Sequence, residues 1–215
     1  MARSAFWSVL FLSVFLTAFV KDVAAETRKE MAASYVELGE DFARSGDFVR
    51  AIGAYNVALQ FASDFAPAYF GRGRAYEARG ESRKAIADYT KTLEIVPGFA
   101  MALYNRGNLR FNDGALDDAL SDFDEAVKND PRDAMAYNNR GIVKAAKGDF
   151  AAAMADFNRA IKINSRRPEA YVNRGLVQLQ QGRRDEAEHD FARSLVLRPS
   201  LRSFIDSRIS QLSEK

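Results

Sequence analysis

Asn105, Asn139 and Asn173 stand at intervals of 34 residues. A carboxamide carries N–H donors and a carbonyl acceptor, the complement of what a peptide main chain presents. A row of amides at fixed spacing could therefore hold an extended polypeptide by its main chain, whatever side chains it bears. Phe70, Tyr104, Asn138 and Val172 fall one residue before this column, and Asn108 and Phe111 follow Asn105 further along the chain. Exposed together, Phe70, Tyr104 and Phe111 would form an aromatic anchor for one bulky side chain of a partner. Glu37 and Gly71 interrupt the asparagine column at its earlier positions, which confines the expected track to the carboxyl-terminal half.

Other chemistry finds little to work with. The one histidine, His189, sits beside Asp190 without a cysteine or second histidine to share a metal, and reads as a surface residue. No glycine-rich loop follows a strand, so no phosphate cradle is expected. Carboxylates such as Glu125 and Asp130 fall where solvated helix faces need charge, and no serine or carboxylate pair stands apart from the periodic pattern. The expectation is a protein that is not an enzyme, with no catalytic residues, no metal site and no cofactor. Charged residues make up 28% of the 215, and the formal net charge of +2 supplies neither a basic field for nucleic acid nor an acidic tail. The absence of cysteine excludes disulfides, thiolate metal centres and a lipid-modified amino-terminal cysteine.

The elements that must position these amides follow from the same interval. Phasing the chain in 34-residue steps gives units 32–65, 66–99, 100–133, 134–167 and 168–201. An early glycine recurs as Gly39, Gly73, Gly107, Gly141 and Gly175, and a second as Gly46, Gly80, Gly114, Gly148 and Gly182. The second ends a helix of about a dozen residues, because glycine takes the left-handed conformation without a Cβ clash. The early one lies inside that helix at a cost of about 1 kcal/mol relative to alanine. Close approach of a neighbouring helix is the expected compensation. An alanine column (Ala51, Ala85, Ala119, Ala153, Ala187), an aromatic column (Tyr55, Tyr89, Phe123, Phe157, Phe191) and an aliphatic column (Leu59, Leu93, Val127, Ile161, Leu195) then follow. They are four residues apart, so they share the buried face of a second helix. Pro97, Pro131 and Pro199 end three second helices, while Pro67 and Pro168 open the next unit where the terminal proline is missing.

A 34-residue helix-turn-helix with these columns resembles the tetratricopeptide repeat (TPR), over residues 32–201. The wording of the units resembles that of bacterial members. The resemblance implies an all-α, right-handed α-solenoid of five such units, with the first helix of each lining a concave surface that binds extended peptides or partner helices. The amide column resembles the asparagine-lined grooves of some superhelical members, which makes Asn105, Asn139, Asn173, Phe70, Tyr104, Asn108, Phe111 and Asn138 the expected peptide-binding residues. The lysine-rich clamp by which some members grip a terminal carboxylate is missing, since Val36, Glu40 and Pro67 stand where it would be.

One departure from the family pattern carries structure. The leucine before the early glycine survives only as Leu38, and Arg72, Arg106, Arg140 and Arg174 replace it elsewhere. The same four units carry Asp88, Asp122, Asp156 and Asp190 just before the aromatic, whereas the first unit has Ala54. Arginine and aspartate present together and absent together predict a salt bridge between the two helices of a unit, not a row of free arginines for an anion.

Residues 1–25 read as a cleaved signal peptide: Arg3, an apolar run from Ala5 to Val20, then Val23-Ala24-Ala25 ahead of Glu26. That run of 16 residues is short of the roughly 20 that span a bilayer, so membrane attachment is expected only if the segment is retained as an anchor. Residues 26–31 are a lead-in. Residues 200–213 form a terminal capping helix with Leu201, Phe204, Ile205, Ile209 and Leu212 on one stripe. The expected function is a periplasmic adaptor that binds a protein partner in its groove. A self-associating module, stacking through the exposed edge of the first unit as a homo-oligomer, is the alternative.

Overall fold

Each of the five units folds as a pair of helices joined by a tight turn, in a computed structural model that describes residue 23 and residues 25–213. The pairs are α1 (residues 25–44) with α2 (Phe48–Phe61), α3 (Ala66–Ala78) with α4 (Ser82–Ile95), α5 (Ala100–Asn112) with α6 (Leu116–Asn129), α7 (Ala134–Ala146) with α8 (Phe150–Ile163), and α9 (Pro168–Gln180) with α10 (Arg184–Leu197). A short 3-10 turn at Pro199–Leu201 leads into α11 (Arg202–Ser213). No strand occurs among the described residues. The helices form two compact bodies, one ending at Pro97 and the other beginning at Gly98.

The turn inside each pair is set by its closing glycine. All five have positive φ, between 75° and 84°. At Gly148 the glycine N–H donates to the Ala145 carbonyl at 3.0 Å and Asp149 N–H to the Lys144 carbonyl at 2.9 Å, which satisfies carbonyls at the end of α7. Asp149 then caps α8 by accepting from Ala152 N–H at 3.0 Å.

The early glycine has a steric role. A β-carbon at Gly141 would lie 2.7 Å from Cε1 of Phe157, and one at Gly107 would lie 2.9 Å from Cζ of Phe123. The aromatic of the second helix thus packs against the bare backbone of the first, so the close approach involves the repeat's own partner helix. The five column alanines are fully buried, and the five column aromatics are at most 7% exposed. Each buried aromatic contributes about 1.5–3 kcal/mol by leaving water.

Two expectations about the ends change. Residues 25–31 are helical and continuous with α1, so the lead-in is the first part of that helix. In α11, Ile205 is buried and Ile209, with Leu201 of the preceding turn, packs beside it against Val172, Ala187 and Phe191, but Phe204 is 49% exposed. At 100° per residue Phe204 is rotated well away from Ile205, and the cap buries only the narrower stripe. The expected signal peptide lies outside the described residues except for Val23 and Ala25, which are helical.

Candidate functional site

The first helices α5, α7 and α9 of the carboxyl-terminal body carry the amides. Asn173 Nδ2 donates to Asn138 Oδ1 at 2.9 Å, Asn138 Nδ2 to Asn139 Oδ1 at 3.0 Å, and Asn139 Nδ2 to Asn108 Oδ1 at 3.0 Å. A directional chain of four side-chain amides therefore runs from α9 across α7 to α5. All four residues are half-buried. Each bond uses one of two N–H groups and one of two lone pairs, so every amide keeps capacity for another partner. The linkage differs from a simple column: Asn138 bridges Asn139 and Asn173. Asn105 holds its column position on α5, also half-buried.

The aromatics divide differently. Phe70, expected to be exposed, is 8% exposed in the core of the amino-terminal body, its ring 5.8 Å from that of Tyr89. Val172, expected on the same surface, is buried as well. Tyr104 and Phe111 are half-buried against a cluster of Ala119, Phe123 and Val143, and the Tyr104 ring meets Phe123 edge-on at 6.4 Å. Burial against these neighbours removes the exposed aromatic trio as an anchor. Tyr104 instead helps line a small pocket of about 170 Å³ with Met135, Asn138, Asn139, Arg167 and Glu169. Residue columns give no sign of Glu169 and Arg167; their place beside Pro168, at the opening of α9, was the available clue.

Both bodies also carry paired charges. Arg72 donates to both oxygens of Asp88 at 2.7 Å, and Arg174 to those of Asp190 at 2.7 and 2.6 Å. Arg140 binds Asp156 in the same forked way, at 2.8 and 2.6 Å, and Arg106 Nη2 reaches Asp122 at 2.6 Å. The predicted salt bridge is present in all four repeats. A second donor, one helical turn on, is an addition to that expectation: Arg110 binds Asp122 and Lys144 binds Asp156, each at 2.8 Å. The remaining guanidinium nitrogen reaches back to the preceding helix pair, from Arg72 to Asn56 at 2.6 Å, Arg140 to Asp124 at 2.8 Å and Arg174 to Asn158 at 2.6 Å. Hydrogen bonding to aspartate raises the pKa of Arg72, Arg140 and Arg174, against the effect of burial. These cations are committed within the fold, which leaves no open anion site along them.

His189 is exposed. Among the described residues no three of His, Cys, Asp and Glu are grouped to hold a metal, and no helix is long and apolar enough to cross a membrane.

A model of the tetratricopeptide repeat family matches residues 70–134, 104–168 and 138–201, in windows that advance by the same 34 residues as the glycine columns. Among solved structures, MamA is 25% identical with a TM-score of 0.70, over 77% of this chain and 96% of that one. YrrB, described as a TPR protein with an unusual peptide-binding site, is 23% identical with a TM-score of 0.69, over 85% and 93%. PilF of Pseudomonas aeruginosa is 21% identical with a TM-score of 0.68, over 87% and 93%. No curated protein sequence matches the chain significantly.

Proposed function

The chain belongs to the tetratricopeptide repeat family, and from that premise we propose that it is a non-enzymatic adaptor that binds an extended segment of a partner protein along α5, α7 and α9. The observation that carries this reading is the amide chain Asn173–Asn138–Asn139–Asn108, half-buried and with donors and acceptors left over. Amides already ordered by one another lose little rotamer freedom when a main chain docks, and they read no particular side chain. The pattern of residues 1–25 supports export and a place in the cell envelope, in the periplasm if the segment is removed.

The test is affinity capture from an envelope extract by the full chain, beside a variant carrying Asn138→Ala, Asn139→Ala and Asn173→Ala, once both are shown to be folded. A partner retained by the parent and lost from the variant is the expected result. Identical capture by both would sink the groove reading.

A second reading draws on α1. Met31 and Leu38, two helical turns apart, are 42% and 41% exposed on that helix, an apolar face at the edge of the first repeat. Stacking of two copies there would give a homo-oligomer, visible by light scattering and abolished by Leu38→Glu.

A further inference from the structure

Charge in the carboxyl-terminal body is sorted between its two edges. Arg159 Nη2 donates to the Pro131 carbonyl at 3.3 Å, Arg198 pairs with Glu169 at 2.8 Å, and Tyr104, Met135 and Arg167 line one pocket. These contacts gather the loops between repeats on one edge, with the starts of α5, α7 and α9. The glycine turns lie at the other ends of the same helices. Residues 128–135, 162–169 and 196–203, which hold the loops, carry seven Lys or Arg against three Asp or Glu. Residues 111–118, 145–152 and 179–186, which hold the turns, carry three against six. The formal net charge of +2 for the whole chain conceals this segregation. The three carboxylates of the loop edge are engaged within the fold: Asp130 and Asp133 accept from the backbone N–H groups of Arg132 and Met135, and Glu169 from Arg198. Arg132, Lys162, Arg166 and Arg202 are exposed and enter no ion pair among the described residues.

Apolar surface follows the cations. Met101, Val196 and Phe204 are 59%, 74% and 49% exposed, and among the described residues of this body they are the exposed large apolar side chains. Met101 is in the first turn of α5, Val196 in the last turn of α10 and Phe204 in the first turn of α11, so all three stand at the loop edge. A nucleic acid would answer the cations but leave these side chains in water. A bilayer with anionic headgroups answers both: its phosphates draw the arginines and lysine, and the apolar side chains enter the boundary beneath the headgroups. The acidic turn edge would be repelled by the same surface, which selects one orientation. We infer that the loop edge of the carboxyl-terminal body docks on an anionic lipid surface. None of these residues belongs to the amide chain, so the two sites are separate.

Vesicle co-sedimentation tests it. The full chain would be pelleted with vesicles of phosphatidylcholine alone and with vesicles that also contain phosphatidylglycerol, and should bind the second kind at much lower lipid concentration. Each cation removed near an anionic surface weakens binding about fivefold. Lys162→Ser, Arg166→Ser and Arg202→Ser together should therefore weaken binding about a hundredfold, and these side chains are exposed and outside every ion pair described, so the fold should be kept. Phe204→Ser leaves every charge in place and should weaken binding about tenfold. Any affinity contributed by residues 1–25 is common to parent and variants and cancels in the comparison. Equal binding to both kinds of vesicle, or a triple variant that pellets like the parent, would overturn the inference. Tighter binding to a DNA duplex than to the anionic vesicles, indifferent to Phe204→Ser, would assign the edge to nucleic acid and overturn it as well.

Discussion

Tyr55 on α2 lies so close to Gly71 on α3 that a β-carbon at residue 71 would stand 2.6 Å from its Cε1. Gly39 on α1 is equally near the same ring, also at 2.6 Å, so the tyrosine is held between two bare backbones. The gap in the asparagine column at residue 71 therefore has a steric cause. Gly71→Asn should destabilise the protein by about 1–3 kcal/mol in urea unfolding, the usual cost of overpacking. Gly53, inside α2, is the contrast: nothing lies within 4 Å of the place its β-carbon would take. Gly53→Ala should stabilise by about 0.5–1 kcal/mol through helix propensity. Equal signs for the two would refute the steric account.

Asp122 is 2% exposed and holds Arg106 and Arg110, while Asp117 is 89% exposed and pairs with Lys147 at the surface. Asp122→Ala takes a buried carboxylate away from two half-buried guanidinium groups and should cost about 3–5 kcal/mol. Asp117→Ala should change stability by less than about 1 kcal/mol. Matching melting temperatures for the two variants would contradict the pairing.

Burial, and then the negative charge of Glu40, raise the pKa of the Tyr55 hydroxyl above 10.0. An acid whose folded-state pKa is raised contributes its stability fully below the unfolded value and loses it as pH climbs through the folded one. The parent protein should therefore lose stability in the window that opens near the ordinary tyrosine value of about 10 and runs upward from it, more steeply than Tyr55→Phe. Urea midpoints of both proteins across that window provide the comparison; parallel curves would exclude a buried phenol at this position.

Asn138 sits between two links of the amide chain, whereas Asn173 stands at its end. Asn138→Ala should cost about 1–2 kcal/mol and Asn173→Ala roughly half of that, since a net hydrogen bond is worth about 0.5–1.5 kcal/mol. In nitrogen-15 spectra the first change should shift the side-chain NH2 signals of both Asn139 and Asn173. Signals that ignore it would mean the chain is broken in solution.

Most of the architecture is readable in the sequence because it rests on residues with a single physical use. Gly148 ends α7 by its positive φ, and Gly141 is required by the ring of Phe157. Arg140 and Asp156 can be paired because the two types come and go together between repeats. The site is less legible. Residues 70, 104, 138 and 172 share one column, yet Phe70 and Val172 are buried while Tyr104 and Asn138 are half-buried. Exposure there depends on what the neighbouring helix offers, such as the ring of Tyr89 beneath Phe70. Likewise, the link from Asn173 to Asn138 depends on how α9 is offset against α7, which spacing along one chain does not encode. Repeat phase alone separates residues 26–31 from the rest of α1, although Glu26, Arg28, Lys29, Glu30 and Met31 are good helix formers and simply belong to it.

The backward reach of the arginines has a genealogical side. Asn56, Asp124 and Asn158, which receive it, lie in one register at multiples of 34 residues, and all three present a side-chain oxygen. Excising residues 134–167 in phase would set Arg174 where Arg140 stands, facing Asp124 in place of Asn158. The seam would close with an equivalent bond. Repeats fastened this way are interchangeable parts, and a gene that gains or drops one whole copy inherits a joint that already fits.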